Sequence, residues 1–330
     1  MTTRWADLTV TKAVLSPNGA PMPSVDDPRP LGPDSLTWKY FGDWRGLLLS
    51  LWAGSMQNMH PQLGAGVEEH SRFFDERWQR LFRSLYPIGG VVYDGPRAAE
   101  TARQVRGYHD AIKGVDRHGR HYHALNPETY FWAHSTFMML SVLLSEYSGE
   151  PFDERQKEQV YAEGVQWYRL YGMSMRPVPP DWGSFQRYWD HMCAEALEVN
   201  KATRDVLDIS GIGKPPLLRR LPDPLWRLAR IPIARGFVWL TVGLYPPVVR
   251  EKLGYTWSSR DERTLRVLGR LLALAWRLVP FELRYHPRAR AGWRRERGLA
   301  RPEAPLVETP ARNLPPAEHR GDPKHYSPSV

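Results

Sequence analysis

The sequence predicts an all-α fold, a single large helical domain, on three observations. Apolar residues recur at helical spacing, as in Leu47, Leu48, Leu51 and Trp52, and again in Trp78, Leu81, Phe82 and Leu85. Strand patterning is weak throughout, and no glycine-rich loop follows a strand. The chain has 330 residues, 42% of them apolar and 14 of them tryptophan. That is enough for one core larger than a simple four-helix bundle provides.

Residues 1–35 are rich in Pro, Gly, Asp and Ser and read as a flexible N-terminal arm. The helical domain is expected over 36–299. Its first helix carries the Leu47–Trp52 stripe and stops or kinks at His60-Pro61. Gly64, Ala65 and Gly66 then allow a helix or ligand to approach the backbone closely. Asp75–Tyr86 is amphipathic, and the run P-I-G-G-V-V-Y-D-G-P after it reads as a loop or short extended piece. A helix follows over Ala98–Ile112, then a polar turn with three histidines, His118, His121 and His123.

Asn126-Pro127-Glu128 opens the next helix with a capping side chain, a proline in the first turn and an acid near the positive end. That helix runs through His134 to about Tyr147. Further helices are expected over Pro151–Met173, Trp182–Val199, Leu225–Tyr245 and Arg260–Val279, separated by proline-rich breaks. Residues 300–330 read as a Pro-rich polar C-terminal tail.

Composition narrows the function. Cys193 is the only cysteine, which excludes a disulfide scaffold, a Cys-ligated iron–sulfur centre and a thiolate zinc knot. The N-terminus has no apolar signal core and no run is long and apolar enough to span a membrane, so a cytoplasmic chain is expected. The net charge of +9 lies mainly after Arg204, in 217–221 and 284–297. This basic half is compatible with a solvated surface or with peripheral membrane contact. No nucleic-acid motif accompanies it, and oligomeric state is left open.

Catalytic motifs for nucleotide binding, serine hydrolysis or zinc proteolysis are absent. What remains is Val105–Leu144. His134 stands in F-W-A-H-S-T-F-M-M-L, where a neutral imidazole must find partners for its nitrogens. A haem iron is one such partner and a backbone carbonyl is another. Arg106 and His109 are three apart, so on a helix they share a side and suit a haem propionate or bound dioxygen, or else a solvated face. Arg80 is a propionate partner or a salt-bridge residue. The cluster His118, His121 and His123 has only Asp116 nearby and reads as a surface turn. His191 and Glu195 are one turn apart, but no second Glu-x-x-His completes a di-iron set, and the surrounding aromatics make His191 a core residue or one that supports a site from behind.

Several stretches in order carry a resemblance: G-D-W-R (42–45), H-P-Q-L-G-A-G-V-E-E-H-S-R-F (60–73), R-L-F-R-S (80–84), V-R-G-Y-H-D-A-I-K-G (105–114), Y-H-A-L-N-P-E-T-Y-F-W-A-H (122–134) and L-Y-P-P-V-V-R-E-K-L-G-Y-T-W (244–257). From about Leu36 to Pro287 the chain resembles the DUF2236 family, which includes the bacterial latex-clearing rubber oxygenase and the fungal MpaB-type oxygenase. The resemblance implies a fold related to the globin-like core of rubber oxygenase and a b-type haem (iron) that works with dioxygen. It makes His134 the axial metal ligand and Arg106 with His109 the polar pair facing it, a histidine replacing the rubber enzyme's lysine. Asp110 stands where that enzyme has threonine. These departures argue against polyisoprene and leave a small apolar substrate, isoprenoid or lipid-like. The alternatives are a non-catalytic haem protein serving as sensor or electron carrier, and a membrane-surface lipid-binding protein.

Overall fold

A computed structural model describes residues 28–70, 76–215, 218 and 220–320. Most of the expected arm, the final residues of the tail (321–330) and part of the basic stretch 217–221 lie outside the described residues. The helices are α1 (Leu36–Tyr40), α2 (Ser50–Asn58), α3 (Pro61–His70), α4 (Arg77–Tyr93), α5 (Ala98–Gly107), α6 (Pro127–Tyr147), α7 (Glu154–Leu170), α8 (Trp182–His191), α9 (Lys201–Leu207), α10 (Asp223–Leu244), α11 (Pro247–Leu253), α12 (Ser259–Arg277), α13 (Phe281–Arg284) and α14 (Pro287–Glu296). A short hairpin, β1 (Lys113–Val115) and β2 (His121–His123), joins α5 to α6. Among the described residues no helix is long and apolar enough to cross a membrane.

Helix α6 is the axis of the molecule. Asn126 Oδ1 accepts from the Glu128 amide at 2.9 Å and starts it. Its largely uncharged sequence lets it be buried against α1, α2, α7 and α12. Its own Trp132 is fully buried, and around it lie the fully buried Trp38, Trp52 and Trp167. Trp132 stacks on Trp189 of α8 at 4.9 Å. The start of the domain is tied to this core by a buried carboxylate. Glu163 of α7 accepts from the amides of Leu36 and Thr37 at 3.0 and 2.8 Å, two donors that the first turn of α1 cannot satisfy itself.

Three local expectations are corrected. The stretch after Tyr86 is no loop, because α4 continues through Pro87 to Tyr93. Pro87 removes one helical hydrogen bond, but Ile88, Val91, Val92 and Tyr93 beyond it are buried. Gly89 and Gly90 let α14 lie directly on the backbone: a Cβ at Gly89 would stand 2.8 Å from His286 Cε1, and one at Gly90 would meet the Arg288 guanidinium. Tertiary packing therefore overrides the local breaker. The polar turn before α6 is the β-hairpin, closed by Asp116, whose Oδ1 accepts from the amides of His118 and Arg120 at 2.9 Å each. Gly119, at φ +75°, makes the reversal. Helix α8 ends at His191 in a wide turn in which the Leu197 amide donates to Met192 at 3.0 Å, leaving His191 exposed and not in the core.

Residues 281–296 form α13 and α14 and close the fold. Asp43 and Tyr285 form an antiparallel bridge, and the His286 amide donates to Gly42 at 3.0 Å. Arg288 holds buried Asp94 at 2.9 and 2.5 Å, and Thr101 donates to the same carboxylate at 2.6 Å. Beyond Leu299 the chain lies along α4: Arg97 donates to Ala304 at 2.5 Å and Arg83 to Asn313 at 3.0 Å.

Candidate functional site

His134 faces α7 from two turns inside α6. It is fully buried, with Trp167, Tyr168 and Tyr171 rings 4.8, 5.3 and 5.9 Å away. The close crossing depends on Gly164, where a Cβ would fall on the Met138 side chain. The Gly164 carbonyl oxygen lies 2.8 Å from His134 Nε2. A carbonyl only accepts, so the proton sits on Nε2 and the lone pair on Nδ1 is bare. Nδ1 is buried and has no hydrogen-bond partner. Burial lowers the imidazole's pKa to about 4, so the ring is neutral at ordinary pH.

His109 repeats the arrangement in mirrored form. It lies in the turn that leaves α5 and is buried. Its Nδ1 is 2.8 Å from the Val105 carbonyl and therefore carries the proton, leaving Nε2 as a buried lone pair without a partner. Burial holds its pKa at about 4 as well, against weaker upward pulls from the Val105 and Arg106 backbone and from Asp110. Tyr130 meets the His109 ring edge-on at 5.6 Å, Tyr171 meets Tyr130 at 5.3 Å, and Tyr171 meets His134 at 5.9 Å. Two neutral imidazoles thus share a wall of two tyrosines.

Arg106 closes the rim of this wall. Its Nη1 donates to the Gly172 carbonyl at 3.2 Å, and its charge reaches the Tyr130 hydroxyl. Gly172 occupies φ +65° in the turn that ends α7, which presents that carbonyl toward α5. The structure therefore brings Arg106, His109 and His134 to one aromatic cluster. Arg80 belongs to a different group of charges: it is buried in the first turn of α4, with Arg83 and Glu76 as its charged neighbours. Burial, then the nearby Arg83, lowers its pKa to about 9.

The other histidines do not assemble. His118 pairs with Glu198 at 3.0 Å, while His121 and His123 are exposed on β2. Among the described residues no group of three or more His, Cys, Asp or Glu side chains is placed to hold a metal ion. Cys193 is buried and its thiol is pushed up to about 12, which leaves it inert. Sequence reading passed over Tyr130, Tyr171 and Gly164. The one available signal was Gly164, a lone glycine inside the charged helix E-R-Q-K-E-Q-V-Y-A-E-G-V.

The chain folds as a large, mostly helical single domain, consistent with the all-α fold of the family whose model it matches. The model for the family "ER-bound oxygenase mpaB/B'/Rubber oxygenase, catalytic domain" matches residues 38–274. The chain belongs to that family, and membership suggests oxygenase activity of the MpaB type in general terms. Comparison with curated proteins and with solved structures gives no match.

Proposed function

We propose that the protein is a b-type haem-dependent oxygenase that uses dioxygen on an apolar substrate, isoprenoid or lipid-like. The observation that carries this reading is the bare, neutral Nδ1 of His134, buried with no partner beside an aromatic wall. Iron binds an imidazole through such a lone pair, and the bond to Gly164 orients the ring and fixes its tautomer. The donor set fits haem. In the described packing Tyr130 and Tyr171 link the two imidazoles, so admitting a flat macrocycle requires these two rings to swing aside.

His134 would hold the iron, and Arg106 at the rim would meet a propionate or a polar ligand. Bound haem would supply the activation of dioxygen. His109 contributes an acceptor at Nε2 while its own proton stays committed to Val105. With a pKa near 4 it cannot carry a positive charge at neutral pH, unlike a lysine at the same place. The tyrosine and tryptophan rings exclude water and offer an apolar contact surface. Arg80, buried with Arg83 and Glu76 as its charged neighbours, would be a further cation for a propionate under this reading.

A second reading rests on the symmetry of the two lone pairs. If His109 and His134 ligate one iron together, the protein carries electrons or senses a ligand without turnover. Absorption spectra of the purified protein, oxidised and reduced, separate the readings. A Soret band lost in His134→Ala, with a high-spin reduced form, supports the oxygenase. A low-spin spectrum in both redox states that becomes high-spin in His109→Ala supports the carrier. A protein that stays colourless after haem reconstitution refutes both.

A further inference from the structure

Helix α12 is apolar on the side it turns to solvent. Leu265 packs inward, yet Val267, Leu271, Leu274 and Leu278 are 52%, 55%, 56% and 86% exposed. Their spacing of four, three and four residues places them in one stripe along the helix. Arg263 and Arg270, both exposed, stand one turn before Val267 and Leu274 and edge the stripe. Helix α10, which packs against α12, exposes Leu225, Leu228, Ile231 and Ile233, with the exposed Arg227 and Arg235 alongside them. Aqueous monomers rarely leave so many large apolar side chains together in water.

Charge identifies the occupant. Within α10 and α12 themselves eight arginines stand against three acids, Asp223, Asp261 and Glu262, a local +5. A second copy of the chain would set like charge against like. Five arginines within the 19 residues of α12 rule out a spanning orientation for this helix. A helix that is leucine-rich on its outer face and edged by arginine suits the boundary between lipid headgroups and acyl chains.

We propose that the outer faces of α10 and α12 are a docking surface for an anionic lipid bilayer, the leucines entering the acyl boundary and the arginines meeting headgroup phosphates and carboxylates. The surface stands apart from the histidine cluster, so the inference does not depend on haem. It places the protein where an apolar substrate would be dissolved.

The test is sedimentation of the full chain with vesicles of phosphatidylcholine alone or mixed with phosphatidylserine. Two double variants are compared with the wild type, Leu271→Asp with Leu274→Asp, and Arg263→Ala with Arg270→Ala. All four side chains are exposed, and circular dichroism checks that each variant folds. The wild type is expected to bind the mixed vesicles, less so in high salt, and each double variant to lower partitioning about tenfold or more. Wild-type protein that ignores the mixed vesicles overturns the proposal, as do variants that bind as the wild type does. A dimer in solution that the leucine variant dissolves, without vesicle binding, assigns the face to a second copy instead.

Discussion

Acidification should destabilise this protein through histidines it keeps neutral, and His286 gives the cleanest measure. Its Nδ1 accepts from the Ala289 amide at 3.3 Å, so it caps α14 in the deprotonated state. Its ring lies fully buried against Tyr93 at 5.8 Å and Trp44 at 6.2 Å. Burial, with Arg288 and Arg290 adding, lowers its pKa to about 3. The unfolded value is about 6.5. The unfolded chain therefore takes up a proton that the folded chain refuses. Stability from this group is intact above about pH 6.5 and falls by about 1.4 kcal/mol per pH unit until about pH 3. Between about pH 7.5 and pH 5 the loss is about 2 kcal/mol. Asparagine at 286 can still cap the helix but cannot titrate. The smaller side chain lowers stability at every pH, so only the change between the two pH values counts. Urea unfolding followed by tryptophan fluorescence at both pH values should show the wild type losing about 2 kcal/mol more than His286→Asn. Equal losses in the two proteins would refute the buried, neutral assignment.

Other perturbations test separate joints. Arg288→Ala leaves Asp94 as an uncompensated buried charge and should cost about 3–5 kcal/mol, read as a lowered Tm, with Asp94→Asn partly rescuing it in a double-mutant cycle. Gly164→Ala pushes a methyl onto Met138 at the α6–α7 crossing and should cost about 1–3 kcal/mol; any bound haem should show a shifted Soret band, because the carbonyl that orients His134 moves with it. Glu163→Ala strips two buried amides of α1 of their acceptor and should cost about 1–3 kcal/mol in urea unfolding.

The elements legible in the sequence are those whose cause is local. Asn126-Pro127-Glu128 specifies the start of α6 through side-chain chemistry within three residues, and α12 carries a long uninterrupted helical run. What stayed hidden depends on partners far along the chain. Pro87 and two glycines spell a break, and only the arrival of His286 and Arg288 about 200 residues later makes that segment a buried helix. The hairpin's strands have three residues each, too short for an alternating pattern to register. Within the site, histidine is rare enough to draw attention, so His109 and His134 could be singled out. With 14 tryptophans and 15 tyrosines in the chain, nothing in composition marks Tyr130 and Tyr171 as the two that matter.

The seal that α14 places over α1 also sets an order of events during synthesis. Trp38 is covered by Tyr93 and by Trp293, at ring distances of 5.0 and 5.3 Å. The Gly42 amide donates to the Tyr93 hydroxyl at 2.7 Å, which in turn donates to the Trp38 carbonyl at 2.8 Å. Trp293 is made about 255 residues after Trp38, roughly 13–50 seconds later at ordinary translation speeds. Through that interval a nascent chain holds a large indole and a glycine-backed groove without their lid. The covering of Trp38 therefore waits on nearly the whole chain, and slower translation lengthens its exposure.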